Sequence, residues 1–155
     1  MEPDRYVAFA AQVRGQLLEI AAIYDRIDER EQVPGPAGRE SLALQLHNLY
    51  SAVEGLFEIV ADACENHINA DAGYHTSLLR RMRITVPGVR PAVVSDEALQ
   101  LLDNLRRFRH VVRHAYSAEI DERQLRIVME DARTLRPVLW RDAEELLTEL
   151  EPADS

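Results

Sequence analysis

Apolar residues recur at three- and four-residue intervals along most of the chain, and alternation of period two never lasts beyond a few residues. Phe9, Val13, Leu17, Ile20 and Tyr24 fall on one helical face, as do Leu42, Leu46, Leu49, Val53, Leu56, Phe57 and Val60. That periodicity confines the chain to an all-α fold. It predicts helices over about 3–30 and roughly 39–67, a short one over 74–82, then 96–114 with Ser95 as cap, and a last one from near 121 to about 149. The breaks are Val33-Pro34-Gly35-Pro36-Ala37-Gly38, Asp71 to Gly73, and an irregular stretch around Pro87-Gly88 and Arg90-Pro91. Pro137 lies inside the last helix and is expected to kink or divide it. The expected architecture is an antiparallel bundle of four long helices, plus a short helix and a loop-rich insertion. One domain over residues 1–150 and a frayed acidic tail over 151–155 complete the expectation.

With 155 residues, 46% hydrophobic and 29% charged, the chain can bury one core. Its start lacks the basic, then apolar, pattern of a secretory leader, and no apolar run approaches the ~18 residues that cross a bilayer. The single cysteine, Cys64, reads as a small hydrophobe in a helix, and a cytoplasmic location is expected. All 18 basic residues are arginines. The absence of lysine excludes a Schiff-base lysine, a phosphate-loop lysine and a lysine general base. A net charge of -9 argues against broad nonspecific nucleic-acid binding, which draws on many phosphate contacts. Charge is uneven, however. Eight arginines lie between Arg80 and Arg113 against Asp96, Glu97 and Asp103, which predicts a basic face on an acidic body.

The densest chemistry lies in Arg109-His110-Val111-Val112-Arg113-His114-Ala115-Tyr116, directly after Arg106 and Arg107. On a helix, Ala98, Leu101, Leu102, Leu105, Phe108 and Val112 gather on one side, while Arg106, Arg107, His110, Arg113 and His114 fan across another. A run of charges on a helix is ordinarily a solvated face. Two histidines four residues apart with a nearby tyrosine point further, because imidazole exchanges protons near neutral pH and the arginine fork suits phosphate oxygens. No carboxylate trio for magnesium and no Cys/His set for zinc accompanies them, and arginines on the same face would repel a cation from His110 and His114. No metal site is expected. Metal-free phosphodiester cleavage fits the set: a histidine deprotonates a ribose 2′-hydroxyl for in-line attack, and arginine stabilises the charge at phosphorus. Such a reaction selects RNA, since DNA has no 2′-hydroxyl.

Arg109, His114 and Tyr116 stand in the spacing Arg-x4-His-x-Tyr, which resembles the motif of HepT toxins in the HEPN superfamily. His110 fits too, the position after the motif arginine being commonly polar there. The resemblance runs from about His47 to Glu130, through Tyr74-His75 to Met82, the segment from Arg90 to Asp96, the segment from Arg107 to Arg113, and Glu119-Ile120-Asp121. It implies the toxin of a type VII-like HEPN/MNT toxin–antitoxin pair, a metal-independent ribonuclease without cofactor. Arg109 would then hold the scissile phosphate and His114 act as general base or acid, with His110, Arg113 and Arg106 contacting substrate. Two protomers of a homodimer, or of a higher homo-oligomer, would line one cleft, and two copies of His114 could divide the proton transfers. The implied partner is a cognate minimal nucleotidyltransferase antitoxin, which uses ATP to AMPylate Tyr116 and so block the phosphate subsite. The alternative is a noncatalytic HEPN module that docks a nucleotidyltransferase or nucleotide without cutting RNA.

Other polar residues read more plainly. His47 and His67 suit ordinary surface or capping contacts, and His75 suits loop stabilisation. Trp140 suits a core or interface anchor. Glu54, set amid an apolar stripe, reads either as a brace for one of the arginines or as a surface glutamate.

Overall fold

The computed structural model describes residues 1–65, 74–114 and 120–153, with the side chains of residues 74–77 left aside. Five helices make up nearly all of it: α1 (Pro3–Glu31), α2 (Gly35–Glu65), α3 (Tyr74–Met82), α4 (Asp96–His114) and α5 (Glu122–Leu150). The expected all-α bundle is what forms. The expected end of the second helix near His67 and the break expected over Asp71 to Gly73 lie outside the described residues.

The long helices run antiparallel around one core. Gln16 Nε2 donates to the Ala52 carbonyl at 2.7 Å and Arg26 Nε to Gln45 Oε1 at 3.1 Å, which sets the α1–α2 register. The Tyr6 hydroxyl reaches the Leu147 carbonyl and the Tyr24 hydroxyl the Ala132 carbonyl, which sets α1 against α5. Inside the bundle Val13, Ile20, Leu49, Val53, Phe57, Leu102 and Leu135 are fully shielded from solvent. Each such side chain contributes about 1.5–3 kcal/mol of transfer free energy, so the apolar stripes dominate the fold.

Two boundaries differ from the sequence pattern. α2 begins four residues earlier than expected, at Gly35, because the breakers there open the helix. Gly35 takes φ +83°, Pro36 fits a first turn that needs no N–H donor, and Gly38 leaves room for the Val33 carbonyl, which a Cβ would meet at 2.0 Å. Pro137 does not divide α5, which continues through it to Leu150. Its ring side is exposed, and the apolar residues on both sides of it (Leu135, Val138 and Leu139) keep packing into the core.

The base of α4 is firmly tied. Ser95 Oγ accepts from the Ala98 N–H at 3.2 Å, as its predicted cap role requires. Ser95 N and Oγ in turn both donate to the buried carboxylate of Asp142 on α5, each at 2.8 Å. A negative charge there also suits the positive end of the helix dipole. The irregular stretch before α4 is organised by Arg90, whose side chain is fully buried. It pairs with Glu65 at the end of α2 and donates to the carbonyls of Arg81, Ile84 and Pro91.

Candidate functional site

α4 buries Ala98, Leu102, Leu105 and Phe108 against the bundle, and this fixes where its polar residues point. Arg109 lies at the seam with α2. Its Nη1 pairs with Glu54, a glutamate buried in the α2 stripe, and its guanidinium stands 5.3 Å from the centre of the Tyr50 ring. The bracing role was one of two readings of Glu54, and it is the one the fold adopts. A guanidinium held by a carboxylate on one edge and an aromatic face below cannot swing freely, so its remaining donors are aimed.

Beyond Arg109, the helix carries its chemistry to the surface. His110, Arg113 and His114 are exposed. The rings of His110 and His114 touch, with centroids 4.4 Å apart and planes inclined by 59°. The expected basic face is largely compensated. Arg106 binds Asp103 within α4 at 2.8 and 3.0 Å, and Arg107 reaches the same carboxylate at 2.9 Å. Arg81 and Arg90 share Glu65, and Arg83 pairs with Asp96. Among the described residues Arg113 has no carboxylate partner. Arg106, expected to contact substrate, thus has its charge engaged on its own helix, whereas Arg109 and Arg113 lie together on one edge. Tyr116 lies outside the described residues.

Two members of the site escaped the sequence pattern. His47 and Tyr50 stand one turn apart on α2, on the stripe that continues to Glu54. Tyr50 is buried under Arg109, and its hydroxyl has no hydrogen-bond partner. Burial and then the Glu54 carboxylate push that phenol well above its usual range. The Nδ1 of His47 is equally shielded and unpartnered. Burial lowers the His47 pKa; the Asn48 side chain opposes this, Arg109 and Arg113 push it lower still, and Glu54 pulls it back. His47 is thus half-buried on α2 and biased toward its neutral form, rather than sitting fully at the surface. The available signal was its phase: positions 47, 50 and 54 interrupt the Leu46, Leu49 and Val53 stripe with polar groups.

The other residues singled out have structural places. Trp140 packs partly buried beside Tyr24, edge to face at 6.4 Å, with Arg136 over both rings. Cys64 is half-buried against the core, and burial raises its thiol. His67 and the side chain of His75 lie outside what is described. Among the described residues no three or more His, Cys, Asp or Glu side chains gather as a metal site, and no helix is long and apolar enough to cross a membrane.

This all-α bundle, with an arginine held in the α2–α4 seam and two imidazoles at the end of α4, has the helical frame of a HEPN-type protein. Residues 41–150 match the family described as HepT-like protein, and the chain belongs to that family, within the HEPN superfamily whose HepT members are toxins of toxin–antitoxin systems. No curated protein and no solved structure matches it.

Proposed function

We propose that this protein is the ribonuclease toxin of a HEPN/MNT pair and that it cuts RNA without a metal ion, through Arg109 and His114. The observation that carries this reading is the bracing of Arg109 by Glu54 and Tyr50 beside the exposed Arg113 and His114. It supplies a preorganised cation for a phosphate and, on the next turn of the same helix, a proton-transfer group. Attack of the ribose 2′-oxygen on phosphorus and departure of the 5′-oxygen would leave a 2′,3′-cyclic phosphate and a 5′-hydroxyl. Arg109 and Arg113 would hold the nonbridging oxygens, with His110 beside them and Arg106 at the margin. In the proposed homodimer two such sites share one cleft. AMPylation of Tyr116 by a nucleotidyltransferase antitoxin would add phosphates that compete with RNA for the same arginines.

The test is incubation of RNA in EDTA with wild type, Arg109→Ala and His114→Ala. Wild type should cut, and each variant should lose at least about a hundredfold in rate. Equal survival of RNA in all three would leave the second reading, a noncatalytic docking module, in which Arg109 and Glu54 are only a buried structural pair. Mass spectrometry after mixing with the antitoxin and ATP should find AMP on Tyr116; an unmodified tyrosine would remove the regulatory part alone.

A further inference from the structure

We propose that His47 on α2 is the general base of the proposed cleavage, working opposite His114 across the Arg109–Arg113 seam, so that one protomer carries both proton-transfer groups. The inference rests on the ribonuclease reading and assigns it a residue from outside the α4 motif.

Geometry makes the first point. In-line displacement puts the entering and leaving oxygens on opposite sides of phosphorus, so base and acid must approach it from opposite sides. His110 and His114 touch at 4.4 Å and lie on one side of α4. Side by side they do not bracket a phosphate, so the second proton-transfer group comes either from another helix of the same protomer or from His114 of a second protomer.

The α2–α4 register supplies it. Glu54 and Tyr50 fix α2 on the Arg109 side of α4. From Arg109, Arg113 lies about 40° round the helix and His114 about 140°, on the bank away from α2. The helices run antiparallel, so one turn beyond Tyr50 toward the start of α2 meets one turn beyond Arg109 toward the end of α4. That brings His47 beside Arg113, in agreement with the charges of both arginines acting on it. Packed helix axes lie about 8–10 Å apart, so imidazoles on the two banks can flank a phosphate seated on the arginines.

The state of the ring suits the role. Nδ1 of His47 is buried without a partner, which leaves Nε2 as the nitrogen assigned to proton transfer. Burial first, and then the same arginines that would grip the phosphate, lower the ring's pKa and favour the neutral form that accepts a proton. In the step, Nε2 of His47 takes the 2′-hydroxyl proton as the 2′-oxygen bonds to phosphorus. The bond from phosphorus to the 5′-oxygen breaks, and His114 gives that oxygen its proton. Solvent then returns both histidines to their starting states.

The experiment compares wild type, His47→Ala, His47→Gln and His114→Ala on a mixed-sequence RNA oligomer. Affinity for its uncleavable 2′-deoxy counterpart and thermal unfolding are measured alongside. Both His47 variants should lose about a hundredfold or more in turnover, with affinity within about threefold and an unchanged melting temperature. A substrate with a bridging 5′-sulfur where wild type cuts needs no general acid. It should restore His114→Ala and leave the His47 variants slow. Cleavage by the His47 variants at near wild-type rate overturns the proposal. So does a loss that follows affinity or unfolding, or one that the sulfur substrate repairs. An inactive wild type would instead sink the ribonuclease reading beneath it.

Discussion

Glu54 shows how a single charge in an apolar stripe can be read, and how far. Its position among Leu49, Val53 and Leu56 marked it as a residue needing a partner, and Arg109 is that partner. His47 gave a weaker signal, since the pattern of one helix does not say which residues of another will face it. Its environment depends on the α2–α4 register, which the sequence does not display. Replacing Glu54 by glutamine leaves the Arg109 charge in a nearly closed seam, and urea unfolding should register a loss of about 3–5 kcal/mol. Adding Arg109→Met should recover most of that loss, because the stranded charge goes with it; a double variant as unstable as the single one would contradict the pairing. His47 predicts a pH effect of definite sign. Its folded pKa lies below the unfolded value of about 6.5, so between the two values the unfolded chain binds more protons. Stability from this group is complete above about pH 6.5 and declines as pH falls toward the lowered folded pKa. Denaturant unfolding of wild type across pH 7.5 to 5.0 should slope more steeply than that of His47→Gln, and parallel curves would count against it.

Helices of this chain are legible because each buries one stripe at a period of 3.6, and four of the five match their expected spans closely. The discrepancies arise where local propensity and tertiary packing disagree. Glycine and proline at the start of α2 look like a loop in isolation, yet they fit a helix that must reverse sharply to pack antiparallel on α1. Pro137 sacrifices one backbone bond, but Leu135, Val138 and Leu139 around it are buried, and their packing outweighs the loss. At the base of α4, Ser95 is both cap and donor to Asp142. Ser95→Ala should therefore cost about 1–2 kcal/mol in urea unfolding, more than a simple exposed cap. The Arg109–His114 end lies several turns away, so RNA cleavage per folded molecule should stay within about twofold. A large activity loss at unchanged stability would show that the base of the helix controls its tip.

Across the whole molecule, counting arginines overstated the positive field. Carboxylates from α2 and from α4 itself meet most of the basic residues between Arg80 and Arg113, and these pairings form only on folding. The net charge of -9 is thus not offset by a broad cationic patch, and few phosphates can be held at once. In the ribonuclease reading, log affinity for uncleavable RNA should fall with log salt at a slope no steeper than about -2, since single strands give about -0.7 per neutralised phosphate. Arg113→Ala should flatten the slope by about 0.7, while Arg107→Ala, already bound to Asp103, should hardly change it. A steep slope in wild type would reveal a cationic track beyond Arg109 and Arg113. The anchorage of α4 by Ser95 and Asp142 has a mechanical meaning as well. The helix is a cantilever, clamped at its root on α5, tied at midspan by the Asn104–Asp131 hydrogen bond and propped toward its far end by Glu54. Among the described residues no hydrogen bond or ion pair ties residues 110–114 to another helix, so the imidazoles ride on the overhang. Amide exchange should accelerate from Leu102 toward His114, and in the ribonuclease reading a flexing tip would admit a strand of RNA while the clamped root keeps the core closed.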